Sequence, residues 1–148
     1  MVNVSREFTV KADPAAVIDY LKDFSHAEEW DPGTVSCTRR DSGEIAVGSQ
    51  WDNTSQMLGN KTDLVYELVE LRGDGVKFKG TNKQAVSYDI IDVTPAPEGS
   101  KIRYEADLTL KGAAKLADPV LKLYFEVKLA KEVVSELTRV LESQATTR

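Results

Sequence analysis

Trp51, Asn53, Ser55 and Met57 take alternate positions along one strand-like segment, with Asp52, Thr54 and Gln56 between them. If the Trp51 face turns inward, an amide and a hydroxyl enter an apolar interior, where each costs free energy unless it is paired. That pattern points to a wet or ligand-filled space. The competing reading is that Asn53 and Ser55 bond to neighbouring side chains. Tyr66, Phe78, Tyr88 and Tyr104 lie on four other strand-like segments, at parities that can all face one helix. Tyrosine joins a large apolar body to a single hydroxyl, which suits orienting a ligand in a greasy pocket. Plain core is the competing role, and Asp89 and Asp92 leave the inward parity around Tyr88 open.

The remaining chemistry-bearing residues carry less. His26 is the only imidazole and has the right pKa range for acid–base work, but a lone His on a short surface helix is ordinarily solvated. Trp30 reads as the anchor of that helix. Arg103, Glu105 and Asp107 alternate with Ile102, Tyr104, Ala106 and Leu108, which is a solvated outer face and not a carboxylate pair for hydrolysis. Cys37 stands alone, so it offers neither an internal disulfide nor a metal set. No catalytic residue, metal ligand or cofactor is expected from this inventory.

The elements that must position these residues follow from period and caps. Val2, Val4, Phe8 and Val10 alternate with polar residues in a half-buried strand. Asp13-Pro14 opens a short helix, with Asp as N-cap and Pro in the first turn. Ser25 and Glu28 have capping-box spacing for a second short helix that ends before Asp31-Pro32-Gly33. Six strand signals then run in sequence: Val35–Arg40, Ser49–Met57, Lys61–Leu71, Val76–Gly80, Ala85–Val93 and Lys101–Leu110. The links between them are short, so neighbours pair antiparallel. Leu116, Val120, Leu123, Val127, Ala130, Val134, Leu137 and Leu141 form one apolar stripe of a long helix, whose main part starts at Asp118-Pro119 and ends near Glu142. Leu121, Tyr124, Phe125 and Leu129 widen its apolar face in the first half, so that half is expected to be the more deeply enclosed. The resulting class is α+β, one domain over 1–148, with a curved seven-stranded antiparallel sheet around the helix.

Bulk properties narrow the function. Apolar residues make up 41% and charged residues 29% of the chain, the balance of a folded protein, with disorder expected only over Ser143–Arg148. A net charge of −5 argues against a nucleic-acid partner. The N-terminal alternation is not that of a signal peptide, and no apolar run is long enough for a transmembrane segment. A cytoplasmic protein, monomeric or weakly homodimeric, is the simplest expectation.

The order of elements has a recognisable counterpart. Phe8-Thr-Val-Lys-Ala-Asp-Pro-Ala-Ala-Val17, Leu21-Lys-Asp-Phe24, Trp30-Asp-Pro32, Val47-Gly48-Ser-Gln-Trp51, Gly59 and the Pro95–Gly99 turn resemble the polyketide cyclase-like and StAR-related lipid-transfer superfamily, also called SRPBCC, over about residues 3–143. The resemblance implies a helix-grip fold around a pocket for an apolar molecule. Asp41–Gly48 is too poor in glycine to match the loop of the plant allergens in that superfamily, and one His cannot supply the iron ligands of its dioxygenase relatives.

One helix is about 10 Å wide and does not fill a strongly curved sheet. An internal cavity of a few hundred Å³ is therefore expected between the first half of the helix and the strands carrying Trp51, Tyr66 and Tyr104, a space that Ala106→Phe would narrow. Trp51, Asn53, Ser55, Tyr66, Phe78, Tyr88, Tyr104, Ala106, Leu121 and Phe125 are its candidate ligand contacts. The expected function is binding or carrying a lipid, quinone or polyketide-like compound. Two alternatives stay open: a cyclase or dehydratase acting on such a ligand, and a regulatory protein that binds another protein.

Overall fold

The computed structural model describes residues 2–146. Alternation of apolar and polar residues produces seven strands: β1 (Val2–Val10), β2 (Thr34–Arg39), β3 (Gln50–Met57), β4 (Asn60–Arg72), β5 (Gly75–Thr81), β6 (Ala85–Ala96) and β7 (Gly99–Leu110). They form one antiparallel sheet in the order β1-β7-β6-β5-β4-β3-β2. Five hairpins give the run from β2 to β7, and β1 closes onto β7 with Val4 opposite Ala106. The register shifts between Thr34 and Ser36 and between Leu68 and Glu70. An extra residue on one strand bends it and increases its twist, so these bulges help curve the sheet.

Helix α1 (Pro14–Leu21) begins as expected, with the Asp13 carboxylate accepting from the Ala15 amide at 3.2 Å. The expected Ser25/Glu28 capping box does not form. Asp23 accepts from both the amide and the hydroxyl of Ser25, because a 3-10 turn over Phe24–His26 comes before α2 (Ala27–Trp30) and moves the cap upstream. Glu28 is thereby released to accept from the Cys37 amide at 2.7 Å, tying α2 to β2. His26 is not simply solvated: its ring stacks on Tyr20 at 4.2 Å, and Nδ1–H donates to the Tyr20 carbonyl at 2.7 Å.

The C-terminal helix lies in the grip of the sheet but changes character along its length. A 3-10 turn (Gly112–Ala117) leads into α3 (Asp118–Tyr124), a π-helical turn (Phe125–Leu129) and α4 (Ala130–Thr146). The helix thus continues past Glu142, correcting the expectation of disorder from Ser143 onward; Thr147 and Arg148 lie outside the described residues. The expectation about enclosure is reversed. Ala130, Val133, Leu137, Val140 and Leu141 are buried in the second half, whereas in the first half Phe125 and Leu129 are buried but Leu116, Val120, Leu123 and Val127 face water. The π turn is the physical reason. Its extra residue shifts the inward face by one position upstream, so that Leu121 and Phe125 face the sheet in place of the stripe a uniform helix would present.

Candidate functional site

Two neighbouring spaces lie between the helix and the sheet. The outer one is a cavity of 330 Å³. Leu64, Leu108 and Leu110 form its sheet wall, Val120 and Leu121 its helix wall, and Asn60, Asn82 and Gln84 sit at its rim. Its lining is largely apolar because the inward parity of β4 and β7 at this end is leucine, and because the first half of the helix presents Leu121 and Ala114 rather than a closely packed face. Met57 lines both spaces.

The inner chamber is only 40 Å³ and its polar groups converge. Ser55 comes from β3, Tyr66 from β4, Ser87 and Asp89 from β6, Tyr104 and Ala106 from β7, and Asp31 from the turn after α2; Phe125 and Leu129 cap it. A space of that size admits one or two waters or a single functional group. The Tyr104 hydroxyl donates to Asp89 at 2.8 Å, and the Tyr66 hydroxyl donates to Ser87 Oγ at 3.3 Å. The Tyr66 ring lies flat over Gly80, where a Cβ would meet its carbons at 2.6 Å, so only glycine allows the ring this position.

Burial pushes the Asp89 carboxyl up to about 7, with the neighbouring Asp31 adding to the rise and the Tyr104 and Tyr66 hydroxyls opposing it. Asp31 is raised as well, by burial, against hydrogen bonds from the Gly33 amide and the Thr34 hydroxyl. Burial and the Asp89 charge keep both tyrosines neutral far above their ordinary range. The chamber therefore holds a carboxyl that exchanges its proton near neutral pH beside two phenols that do not ionise. None of the lining residues is Lys, Arg or His. Among the described residues no group of three His, Cys, Asp or Glu is placed to hold a metal, and no helix is long and apolar enough to cross a membrane.

The structure brings some of the sequence candidates together and separates others. Ser55, Tyr66, Tyr104, Ala106 and Phe125 surround the inner chamber, and Leu121 lines the outer cavity. Trp51 and Phe78 line neither. They pack around Phe24, with ring centroids 6.3 and 4.4 Å from it, and Trp51 Nε1 donates to Asp23 at 3.2 Å. Tyr88 points to the outer face of the sheet, where Lys77 Nζ stands 5.0 Å from its ring centroid. The open parity of β6 is thus resolved in favour of Ala85, Ser87, Asp89, Ile91 and Val93, while outward Asp92 pairs with Arg72 at 2.9 Å. Asp89, Ser87 and Asp31 are the polar residues of the chamber that the sequence reading did not single out. The available signal was the alternation of small and apolar residues with Asp89 in their middle, read against Tyr88 on the other parity.

Asn53 is buried outside both spaces, and its Oδ1 accepts the Ser55 hydroxyl at 2.7 Å. The nearby Cys37 thiol is pushed up to about 12 by burial, against a lowering influence of Asn53, and is left inert. Asn53→Leu should therefore destabilise by about 1–3 kcal/mol, since it leaves the Ser55 hydroxyl short of an acceptor in the interior. Urea denaturation measures this. A variant as stable as the parent would show that the pair is dispensable.

Comparison with known proteins is consistent with this architecture. The family model described as polyketide cyclase / dehydrase and lipid transport matches residues 1–145. No curated protein matches the chain. Among solved structures, the di-domain ARO/CYC StfQ from the steffimycin biosynthetic pathway superposes with a TM-score of 0.70 at 16% identity, over 98% of this chain and 52% of that one. The chain thus spans about half of that di-domain protein. Ara h 8.0201 gives 0.66 at 15% identity, over 99% of this chain and 98% of that one. A START superfamily protein from Mycobacterium smegmatis gives 0.70 at 16%, over 98% and 97%. At such identities the likeness is one of fold.

Proposed function

Because the chain belongs to the polyketide cyclase / dehydrase and lipid transport family, we propose that it binds or carries an apolar small molecule of the lipid, quinone or polyketide-like kind. The supporting observation is the pairing of the two spaces. An apolar cavity of 330 Å³ accepts a hydrocarbon body, and the neighbouring chamber, which shares Met57 with it, accepts one polar group. That group is a hydroxyl or carbonyl and not a carboxylate, since Asp31 and Asp89 would repel an anion and no lining cation offsets them.

A ligand that binds only the folded state stabilises it by about 2.7 kcal/mol at a hundredfold excess over Kd. Octanol and a short-chain quinone should therefore raise Tm by several degrees. Ala85→Phe, which places a ring in the outer cavity, should abolish the rise while the protein still folds. If neither compound moves Tm in the parent chain, the reading fails.

One observation favours a cyclase- or dehydratase-type enzyme as the second reading: the Asp89 carboxyl, poised near neutrality and held by Tyr104 next to Tyr66, can take or return a proton. Loss of turnover in Asp89→Asn with ligand uptake retained would favour this over simple carriage.

A further inference from the structure

Four apolar side chains on the first half of the C-terminal helix contribute nothing to the core. Leu116 is 86% exposed, Val120 57%, Leu123 63% and Val127 65%. They stand at intervals of four, three and four along the 3-10 turn, α3 and the π turn, a stripe open to water with Val120 at the edge of the cavity. Across the cavity mouth stands Leu58, 52% exposed, in the turn between β3 and β4. Val120 and Leu58 also line the outer cavity, so the patch and the cavity opening are continuous.

Charge around the stripe is opposite to that of the rest of the chain. Residues 111–131 contain Lys111, Lys115, Lys122, Lys128 and Lys131 against Asp118 and Glu126, a net charge of +3 in a chain whose total is −5, which leaves −8 elsewhere. All five lysines are exposed, and among the described residues none of them forms an ion pair. Lys61 and Lys83 add exposed positive charge next to the rim residues Asn60 and Asn82.

We propose that this face docks on an anionic lipid bilayer, with the stripe entering the headgroup–acyl boundary, the lysines meeting the phosphates, and the cavity mouth held against the membrane. An amphipathic helix with an apolar stripe and flanking lysines binds such a surface by adding buried area to electrostatic attraction. The −8 carried elsewhere turns the other faces away, so the docked orientation is defined. A second copy of the chain fits the patch less well. A two-fold contact would set one +3 segment against another, and a standard interface needs about 800 Å² per partner, more than one helix edge supplies. The docking stands independently of what the cavity holds.

The test is co-sedimentation of the full chain with vesicles of phosphatidylcholine alone or mixed with phosphatidylglycerol. Binding is expected on the mixed vesicles only, and it should weaken with added salt. Leu116→Ser/Leu123→Ser and Lys115→Gln/Lys122→Gln should each lower the partition coefficient by about tenfold or more, with Tm unchanged because every replaced side chain is exposed. Absence of binding by the folded parent chain, or equal binding by both variants, overturns the proposal. So does a solution dimer that Leu123→Ser dissociates, since the occupant would then be a second copy.

Discussion

Asp89→Asn is expected to make the protein more stable above neutral pH and to remove a loss of stability that the parent chain suffers between about pH 4 and 7. The folded carboxyl titrates at about 7 and the unfolded one near 3.8, so the folded state holds the proton more tightly. Its contribution is then fully present below the unfolded value and is lost as pH rises through the folded one. Three pH units at 1.36 kcal/mol each set the size at about 4 kcal/mol. Asparagine keeps an acceptor for the Tyr104 hydroxyl and carries no charge to desolvate. Asp31 shifts in the same direction and its charge is part of what raises Asp89, so the difference between the two chains reads the titration of the coupled pair. Urea denaturation of both chains at pH 4, 6 and 8 reads the effect; parallel pH profiles would show that Asp89 ionises without penalty.

Phe24→Ala should cost about 4 kcal/mol, a large part of the stability of an ordinary domain. The ring is fully buried at the meeting point of four others: Trp30 at 6.1 Å, Trp51 at 6.3 Å, and Tyr66 and Phe78 both at 4.4 Å. Removing it leaves a cavity that four rigid rings cannot close by small shifts. It also takes away the surface that holds Tyr66 down on Gly80, so the Tyr66 hydroxyl should leave Ser87 and the chamber should lose its defined polar end. Guanidinium denaturation gives the stability change, and a loss of ring-induced near-ultraviolet dichroism reports the loosened cluster. A cost below about 1 kcal/mol would mean that the rings repack.

The sheet was legible because its information is local. Alternation in Val2–Val10 and around Tyr104, and the short links between successive strands, depend on residues next to one another in the chain, and they led to the observed antiparallel meander. The Asp13-Pro14 start was readable for the same reason. The Ser25/Glu28 pair shows the limit of spacing rules: the two residues stand at the right interval, but the 3-10 turn at Phe24 gives Asp23 the capping role.

Within the site, the sequence by itself determined that polar groups on β3 and tyrosines on β4 and β7 would face the helix, since parity is a property of each strand. Only the tertiary structure decided which parity of β6 turns inward. Asp89 is buried there because β5 and β7 fix the register on both sides and because Tyr104 offers it a hydroxyl. Only the tertiary structure, likewise, placed the π turn at Phe125–Leu129. A helical stripe read from sequence assumes one period throughout. Contacts made by α4 with β1 and α2 hold the second half in one phase, while the extra residue turns Leu116, Val120, Leu123 and Val127 out to water. The position of the cavity follows from that rotation: Leu116, Leu123 and Val127 point away from the outer space, and only Val120 and Leu121 of α3 border it opposite Leu108.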